Sequence, residues 1–422
     1  MAKTRLLQIA FYSEWAINTF FASLKDPEIA QKFKLTGVSG LERNIAQAVS
    51  SLSRAIAYRE AMIPTYVAED KRERVRTQIK TANELLESLR NGDVKYFSVS
   101  ELAKAGENIK DIADMLVIHS SNPCHLDYMV WGSRNGLDVL VEKPTVTVLD
   151  KNGKPSREKL DRLICLNNVN SHRIIMNAEH YAYKQSAMLF YKNLEQMLGG
   201  KKIKRVVGEV LEIDEPNHPR TKHTLSLRNE TGILTDTGVH LLDFISRLGG
   251  RAVPTNVKFD SYPGYDVETY AEVKYDIQPL DGHFAHGATA EIRVGKFIDK
   301  TVFPTNTESK FIRFEFDETD AEGNPLYVQV NLNNGGVVEK TISGEKTIHD
   351  AYPASKNEYV NILRAVDDAR TRGKMTGIIT PIRDSVTTLT GIVNTYEFID
   401  KVRDRIHIYK DPHVVRPVQI AY

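Results

Sequence analysis

The sequence has little of several features that mark special classes of protein. Cysteine occurs twice in 422 residues, at Cys124 and Cys165, which excludes a disulfide framework. No apolar stretch approaches the roughly 18 residues of a transmembrane helix, and the N-terminal MAKTRLLQIA leads into a strand pattern rather than a signal peptide. Lysine and arginine number 56 against 55 acids, so no net charge favours nucleic acid or an anionic membrane. We therefore expect a cytoplasmic protein that binds neither.

The remaining composition is that of an ordinary globular protein. Hydrophobic residues make up 41% of the chain and charged residues 26%, as in most folded domains. At 422 residues the chain is too long for one ordinary domain, and we predict two. Residues 1–150 are predicted to form the first and residues 151–422 the second, with the turn-rich segment Asp150–Arg157 at the boundary. The last helices can pack back on the first domain.

The most informative stretch runs from Asp114 to Pro144. An apolar run, Met115–Ile118, is short enough to be a strand buried on both faces. Turn-forming residues and an amphipathic segment follow, and a second apolar run, Val139–Val141, ends in the tripeptide Glu-Lys-Pro at 142–144. Such a strand–helix–strand unit has a right-handed crossover and binds ligands beyond the carboxyl ends of its strands. We therefore predict a parallel, Rossmann-like sheet in the first domain.

The turn after the predicted first strand, Arg5–Phe11, contains no glycine. A nicotinamide-binding turn typically reads G-x-G-x-x-G, because glycines let backbone amides approach a pyrophosphate. Here Phe11, Tyr12 and Trp15 would fill that space. Ser13 is a predicted N-cap of the following helix, whose N-terminus remains as an anion site. Phosphate binding, with Ser13 as a contact, is therefore expected to be weakened rather than excluded.

The end of the predicted second strand, Lys34–Val38, bears on the choice between NAD and NADP. An acidic residue there would favour NAD, because it binds the ribose hydroxyls. Ser39 and Arg43 instead suit a 2′-phosphate, while Glu42 keeps the NAD interpretation open. We predict a slight preference for NADP.

The rest of the chain predicts additional helices and a second sheet. Apolar residues at helical spacing indicate a helical insertion over about 45–92. The second domain is expected to begin with a helix near 157–167, a short strand near 173–176 and a helix near 183–198. Strand candidates then follow one another from 203 to 342, many with period-two alternation. The predicted fold class is a Rossmann-like α/β domain followed by an α+β domain with a large, mostly antiparallel sheet.

The run from Asp114 to Pro144, with its strand ending in Glu-Lys-Pro, resembles the Gfo/Idh/MocA group of oxidoreductases (glucose–fructose oxidoreductase and inositol dehydrogenase-like). The segment Thr231–Asp243 carries the Asp-x-Gly-x-His pattern of the same family. The resemblance implies the two-domain architecture, a nicotinamide cofactor and a homo-oligomer. The catalytic set that it implies is Lys143, Asp236 and His240. The cofactor contacts that it implies are Ser120, Asn122, Pro123, His125, Glu142, Lys143 and Pro144.

The residue types at these positions suit hydride transfer. At positions i and i+4 of a helix, Asp236 and His240 share one face. A histidine is a suitable base for a hydroxyl proton, and an acidic neighbour can fix its tautomer. Lys143 can hydrogen-bond the same oxygen and stabilise a developing alkoxide. Alternatively the pair has only a structural role, with Asp236 as an acidic residue at a helix N-terminus and His240 as an ordinary buried histidine.

Two other patterns carry less weight. Asn177–Tyr181 lies where the family often places cofactor or substrate contacts, so His180 and Tyr181 are candidate substrate residues, although the usual arginine is missing. His283 and His286 lie close to Asp281 but lack a third well-spaced ligand, so we predict no metal site.

A basic cluster occupies the loop after the strand at 203–213. It comprises His218, Arg220 and His223. Arg220 and His223 are candidate contacts to a carboxylate or phosphate of the substrate, and an ordinary solvated loop explains the cluster equally well.

Together these features predict an NAD(P)-dependent enzyme. It would transfer a hydride between nicotinamide and a CH–OH or C=O group of a sugar, polyol or related hydroxy acid. One alternative is a lyase or glycosidase that holds its cofactor tightly and uses transient oxidation. The other is a non-catalytic, ligand-binding member of the fold, which the missing glycines favour and the intact acid–base residues oppose.

Overall fold

The computed structural model describes residues 2–11, 13, 16–65, 69–169, 173–213, 219–280, 282–298, 308–333, 336–348, 355, 357–372 and 382–401. The chain forms two compact units that interleave in sequence. The first unit comprises Met1–Glu142, Asn168–Ala178 and Asn357–Ile379, and the second comprises Lys143–Asn167, Glu179–Lys356 and Thr380–Tyr422. The domain boundary near residue 150 remains a prediction.

The first unit contains one parallel sheet of six strands. They are β1 (Thr4–Ile9), β2 (Phe33–Gly40), β3 (Lys95–Ser98), β4 (Met115–Ile118), β5 (Asp138–Glu142) and β6 (Ile175–Ala178). Their order is β3-β2-β1-β4-β5-β6, which is that of dinucleotide-binding Rossmann sheets. Every residue of β4 is buried, as in a strand covered on both faces. The predicted Rossmann-like sheet is therefore confirmed.

Helices connect these strands. They are α1 (Phe21–Ser23), α2 (Pro27–Lys32), α3 (Ile45–Met62), α4 (Glu69–Arg90), α5 (Val99–Ala105), α6 (His125–Arg134) and, late in the chain, α12 (Glu358–Arg372). Helices α3 and α4 lie within residues 45–92, where the helical insertion was predicted. Asn44 caps α3 by accepting the Gln47 N–H at 3.0 Å, and the helix ends just before Pro64, because proline cannot donate within a helix.

The second unit contains an eight-stranded sheet. Its strands are β7 (Ile203–Leu211), β8 (Gly250–Asp260), β9 (Tyr270–Pro279), β10 (Phe284–Gly295), β11 (Ser309–Thr319), β12 (Pro325–Asn331), β13 (Gly336–Thr341) and β14 (Gly344–Ile348). Their order is β14-β13-β12-β11-β7-β10-β9-β8. Neighbours are antiparallel except β7 and β10, which are parallel. This mostly antiparallel sheet confirms the predicted fold class.

Helices accompany the second sheet. They are α7 (Glu158–Val169, nearly all of which lies in the second unit), α8 (Gln185–Lys192), α9 (Leu194–Leu198), α10 (Pro219–Thr224), α11 (Val239–Arg247) and α13 (Ile382–Lys401). Helices α11 and α13 pack on each other and on β8. Among the described helices, none combines the length and the apolar character that crossing a membrane requires.

Three elements differ from the expectations. The strand near 173–176, expected in the second domain, is β6, which pairs in parallel with β5 and extends the first sheet. A short apolar run does not reveal its partner, so only the pairing settles its sheet. Part of the loop expected around 214–223 forms the short helix α10. The last strand, β14, was missed because it is almost wholly exposed and carries no apolar alternation.

Candidate active site

The helical segment that carries two of the predicted catalytic residues lies in the second unit. Leu234–Gly238 forms a π-helical turn that continues directly into α11. Such wider turns occur frequently at functional sites. A buried carboxyl group fixes the start of the turn: Glu268 Oε1 accepts the Leu234 N–H at 3.5 Å and also accepts the Tyr396 hydroxyl.

Lys143 and Asp236 form an ion pair in the second unit. Lys143 Nζ donates to Asp236 Oδ1 at 2.8 Å and to the Asp236 carbonyl oxygen at 2.6 Å. The two side chains are 16% and 9% exposed. Burial by itself would raise the pKa of the Asp236 carboxyl, but the charges of Lys143 and Lys296 outweigh it and hold the pKa far below its usual range. The Glu-Lys-Pro and Asp-x-Gly-x-His motifs thus meet as a charged pair.

The pair continues into a row of alternating charges. Lys296 Nζ lies 3.5 Å from Asp236 Oδ2 and 3.0 Å from Glu212 Oε2, and Lys310 Nζ lies 2.6 Å from Glu212 Oε1. Burial raises the pKa of Glu212, but the Lys296 and Lys310 charges together lower it to about 2. Sequence reasoning missed Lys296 and Glu212, because each is a single polar residue just after a strand and belongs to no motif.

The acidic neighbour of His240 is Glu179, whereas Asp236 pairs with Lys143. His240 Nδ1 and Glu179 Oε1 are joined by a hydrogen bond. Glu179 is completely buried, and its Oε1 also accepts the Tyr181 N–H at 3.2 Å. When a neutral imidazole donates from Nδ1 to a carboxylate, Nε2 is left as the acceptor nitrogen. Glu179 lies within a segment that the sequence singled out, but nothing in the sequence connects it to a histidine 61 positions later.

Burial sets the protonation of this pair. It lowers the pKa of His240 well below its usual range, and the Lys143 charge acts in the same direction, so the ring is neutral. It also raises the pKa of Glu179 to about 7, although the Lys143 charge opposes that rise. A carboxyl whose pKa lies near neutrality and a neutral imidazole therefore share one hydrogen bond, an arrangement typical of sites that handle protons.

Aromatic rings hold the imidazole in place. The Tyr181 ring stacks on His240 with centroids 4.0 Å apart and planes at 8°. The His180 ring lies edge-on to His240, with centroids 4.7 Å apart and planes at 70°. The structure therefore brings both of these predicted substrate residues to His240. No described contact brings the other two predicted substrate residues, Arg220 and His223, to His240. His223 is exposed on α10. The Arg220 side chain and the whole of His218 lie outside the described residues.

The glycine-less turn of the first unit is tight all the same. Ala10 adopts a left-handed φ of 58°, a conformation that glycine adopts without steric cost and alanine only rarely. The Ser13 N–H donates to the Ala10 carbonyl at 3.0 Å, which closes the turn. Ser13 Oγ accepts the Ala16 N–H at 3.1 Å, so the serine caps the following helical turn as predicted.

The aromatic side chains of this turn were expected to occupy the phosphate space. Phe11 is fully buried instead, and its ring meets Tyr96 edge-on with centroids 6.0 Å apart. It therefore packs in the core of the first unit. Tyr12, Glu14 and Trp15 lie outside the described residues.

The predicted 2′-phosphate residues lie at the carboxyl end of β2. Ser39 is 1% exposed, and its hydroxyl has no hydrogen-bond partner within the described part of the chain. Arg43 is exposed, and its backbone N–H donates to Gln47 Oε1 at 3.1 Å. The guanidinium of Arg43 is thus better placed than the Ser39 hydroxyl to reach a ligand from solvent.

The loop after β4 holds four other predicted cofactor residues. Ser120, Asn122 and Pro123 are partly exposed, whereas His125 is buried and its Nε2 hydrogen-bonds the Ser120 carbonyl oxygen at 3.0 Å. His125 therefore shapes the loop, and the residues open to a ligand are the three before it.

Glu142, at the carboxyl end of β5, belongs to a buried network within the first unit. The Tyr359 hydroxyl donates to Glu142 Oε1 and lies 2.9 Å from His119 Nε2, and Gln8 Nε2 lies 3.0 Å from His119 Nδ1. Burial lowers the pKa of His119 to about 3, so its ring is neutral. Pro144, two residues after Glu142, is also buried. Sequence reasoning missed Tyr359, because α12 is distant in sequence from the sheet that it joins.

No protein-family model and no curated protein matches the sequence, but solved structures do. The aldose–aldose oxidoreductase from Caulobacter crescentus complexed with glycerol has a TM-score of 0.62 at 16% identity, over 95% of this chain and 98% of that one. An oxidoreductase from Agrobacterium radiobacter in complex with NAD+, L-tartaric acid and magnesium has a TM-score of 0.62 at 14% identity, over 93% and 94%. The 3-ketoreductase KijD10 from Actinomadura kijaniata, with TDP-benzene and NADP, has a TM-score of 0.60 at 13% identity, over 97% and 100%.

At these identities the likeness establishes the fold, and it covers nearly the full length of each chain. The chain therefore has the two-domain fold of the Gfo/Idh/MocA-type oxidoreductases, as the resemblance around Glu-Lys-Pro predicted.

Proposed function

We propose that the protein is an NAD(P)-dependent oxidoreductase that transfers a hydride between nicotinamide and a CH–OH or C=O group of a sugar, polyol or related hydroxy acid. One observation carries the proposal: a largely buried Lys143–Asp236 ion pair lies in the same unit as a neutral His240, whose Nδ1 is hydrogen-bonded to Glu179. A packed core does not require this combination, because burying charged and titratable groups costs free energy. Such a combination is typical of sites that move a proton.

The first unit fits a dinucleotide. The strand order supports it, and so do the tight, left-handed turn at Ala10 and the withdrawal of the Phe11 ring into the core. The residues that would hold the cofactor are those after the strands: Ser13, Ser39, Arg43, Ser120, Asn122, Pro123, His125, Glu142, Lys143 and Pro144. When bound, NAD(P) would supply the hydride acceptor or donor. The exposed Arg43 favours NADP, because a guanidinium suits a 2′-phosphate.

The protein's own residues would handle the proton and the charge on oxygen. His240 Nε2 would take the proton of the substrate hydroxyl, since Glu179 fixes the hydrogen on Nδ1. Lys143 would stabilise the negative charge that develops on the same oxygen. Asp236 would hold the ammonium in place by its two hydrogen bonds. In the reducing direction His240 would return the proton.

Similar structures support the substrate class. One is an aldose–aldose oxidoreductase complexed with glycerol, another holds L-tartaric acid, and a third is a 3-ketoreductase. Sugars, polyols and hydroxy acids share a carbon that carries both hydrogen and hydroxyl. We also propose a homo-oligomer, on the resemblance alone, which light scattering after size exclusion would test.

Cofactor titration is the first test. NADH and NADPH are added separately to the purified protein without substrate, and nicotinamide fluorescence and calorimetric heat are followed. Saturable binding, tighter for NADPH, is expected. A screen of sugars, polyols and sugar acids then follows nicotinamide absorbance. If neither coenzyme binds at millimolar concentration and none copurifies, the oxidoreductase proposal fails and a non-catalytic binding protein is indicated. A copurifying cofactor with no net turnover would indicate the lyase or glycosidase.

Matched lysine variants separate chemistry from folding. Lys143→Ala should abolish turnover while leaving the circular-dichroism spectrum of the folded protein unchanged, because the proposed role is at the reacting oxygen. Lys346→Ala removes an exposed lysine of β14 and should change neither. Undiminished activity of Lys143→Ala would remove the assignment of that lysine.

A further inference from the structure

Three side chains that can bind a metal, one of them the proposed base His240, converge in the second unit. The potential ligand atoms of Glu179, His180 and His240 all lie within 4.8 Å of one another. Glu179 and His180 are adjacent because Glu179 caps the short 3₁₀ helix His180–Tyr183, and His240 comes from α11. Two imidazoles and one carboxylate are the donors that divalent transition metals prefer, whereas magnesium and calcium prefer oxygen alone.

A second observation points to a ligand at the same place. Glu179 is completely buried, and while Oε1 accepts two hydrogen bonds, Oε2 has no hydrogen-bond partner among the residues that the structure describes. A buried carboxylate oxygen without a partner is unfavourable, because nothing replaces the hydrogen bonds that it makes to water in the unfolded chain. A bound cation would satisfy it directly.

The surrounding charges leave this carboxylate available. Lys143 is hydrogen-bonded to Asp236 at 2.8 Å, and Arg247 lies 3.2 Å from Asp243. Both cations thus have a carboxylate of their own. Glu179 has the two neighbouring imidazoles and no cation at ion-pair distance within the described residues.

We propose that Glu179, His180 and His240 bind one divalent transition-metal ion of the zinc class. Zinc–ligand bonds of about 2.0–2.2 Å place tetrahedral ligand atoms about 3.4 Å apart. The three ligand atoms, which lie within 4.8 Å of one another, would therefore adjust their separations by up to roughly 1.4 Å on binding. Three protein ligands leave a coordination position for water or for a substrate oxygen.

The proposal has a consequence for His240. A neutral imidazole that binds a metal through one nitrogen keeps its hydrogen on the other, so no lone pair remains to accept a substrate proton. Metal binding and base catalysis by His240 exclude each other, and the ion would inhibit the proposed dehydrogenase. The binding itself does not depend on the proposed function and is measured without cofactor or substrate.

The test uses the full-length, tag-free protein after removal of metals with a chelator. Cobalt(II) and zinc(II) are titrated by calorimetry, and the visible ligand-field absorption of cobalt reports nitrogen and oxygen coordination. One ion per chain is expected, with displacement of cobalt by zinc. Failure of the wild-type protein to bind either metal at a ratio of one per chain overturns the proposal, whatever the variants do.

Variants locate the ion. Glu179→Gln and His180→Asn should each weaken binding at least tenfold, because each removes one of three ligands. His286→Asn removes an exposed histidine of β10 and should leave affinity unchanged. Circular dichroism confirms that each variant is folded. Affinity that is unchanged in both ligand variants, or lost in His286→Asn, overturns the assignment.

Discussion

Glu268 is a buried carboxyl beneath the helical segment that carries Asp236 and His240, and its replacement by glutamine tests how the protein holds that segment. Glu268 Oε1 accepts the Tyr396 hydroxyl and the Leu234 N–H. A glutamine Oε1 can accept both bonds and carries no charge. The exchange therefore removes the ionisation of this group while keeping its shape and its acceptor.

The size of the effect follows from the pKa. Burial raises the pKa of Glu268 from the ordinary 4.5 to about 7, although the hydrogen bonds from Tyr396 and the backbone oppose the rise. The folded protein then keeps a proton that the unfolded chain has lost at intermediate pH, so its stability is highest below pH 4.5 and falls as the pH rises through about 7. At about 1.4 kcal/mol per pH unit, the total loss is about 3 kcal/mol.

Glu268→Gln does not incur that loss. Relative to wild type, its unfolding free energy should increase by about 2.5 kcal/mol between pH 5 and pH 8.5. Urea unfolding followed by far-ultraviolet circular dichroism at several pH values measures both proteins, and taking their difference cancels every other titrating group. Glu339→Gln, at a half-exposed position of β13, is the control and should give a flat difference.

A flat Glu268→Gln difference, or a wild type that gains stability relative to the variant above pH 7, would refute this reasoning. Either result would mean that Glu268 is already ionised in the fold at neutral pH. The hydrogen bonds would then outweigh the cost of burial.

Three other changes are expected to have measurable effects. Asp236→Asn leaves Lys143 without its carboxylate and removes one of the two carboxylates beside Lys296, so it should lower stability by about 3 kcal/mol, which thermal unfolding would show. A melting temperature equal to that of wild type would contradict this role of the ion pair. Gly232→Ala would place a methyl carbon 2.0 Å from Glu268 Oε1, so urea unfolding should show a free energy of unfolding lower by about 1–3 kcal/mol. An unchanged free energy of unfolding would mean that the Glu268 carboxyl moves aside. Tyr359→Phe removes the hydroxyl that binds Glu142 and should cost about 1–3 kcal/mol in the same assay; unchanged stability would show that the network is dispensable.

Local patterns were sufficient for most of the fold. The apolar runs at 115–118 and 139–141 predicted β4 and β5, because residues buried on both faces of a parallel sheet must be apolar. Period-two alternation predicted the strand at 310–316, which is β11, because one face of an antiparallel strand is buried. The partner of β6 could not be predicted, because a short apolar run such as Ile174–Met176 could pair in either sheet.

For the site, the sequence by itself determined the residue types and the two motifs that carry them, since Lys143, Asp236 and His240 each lie in a short, recognisable pattern. Only the tertiary structure decided which groups meet. It paired Asp236 with Lys143 and His240 with Glu179, and it placed Lys296 beside Asp236. The physical reason is distance along the chain: Lys143 and Asp236 are 93 positions apart. Pairing between such distant side chains depends on how the whole unit packs, which no local pattern records.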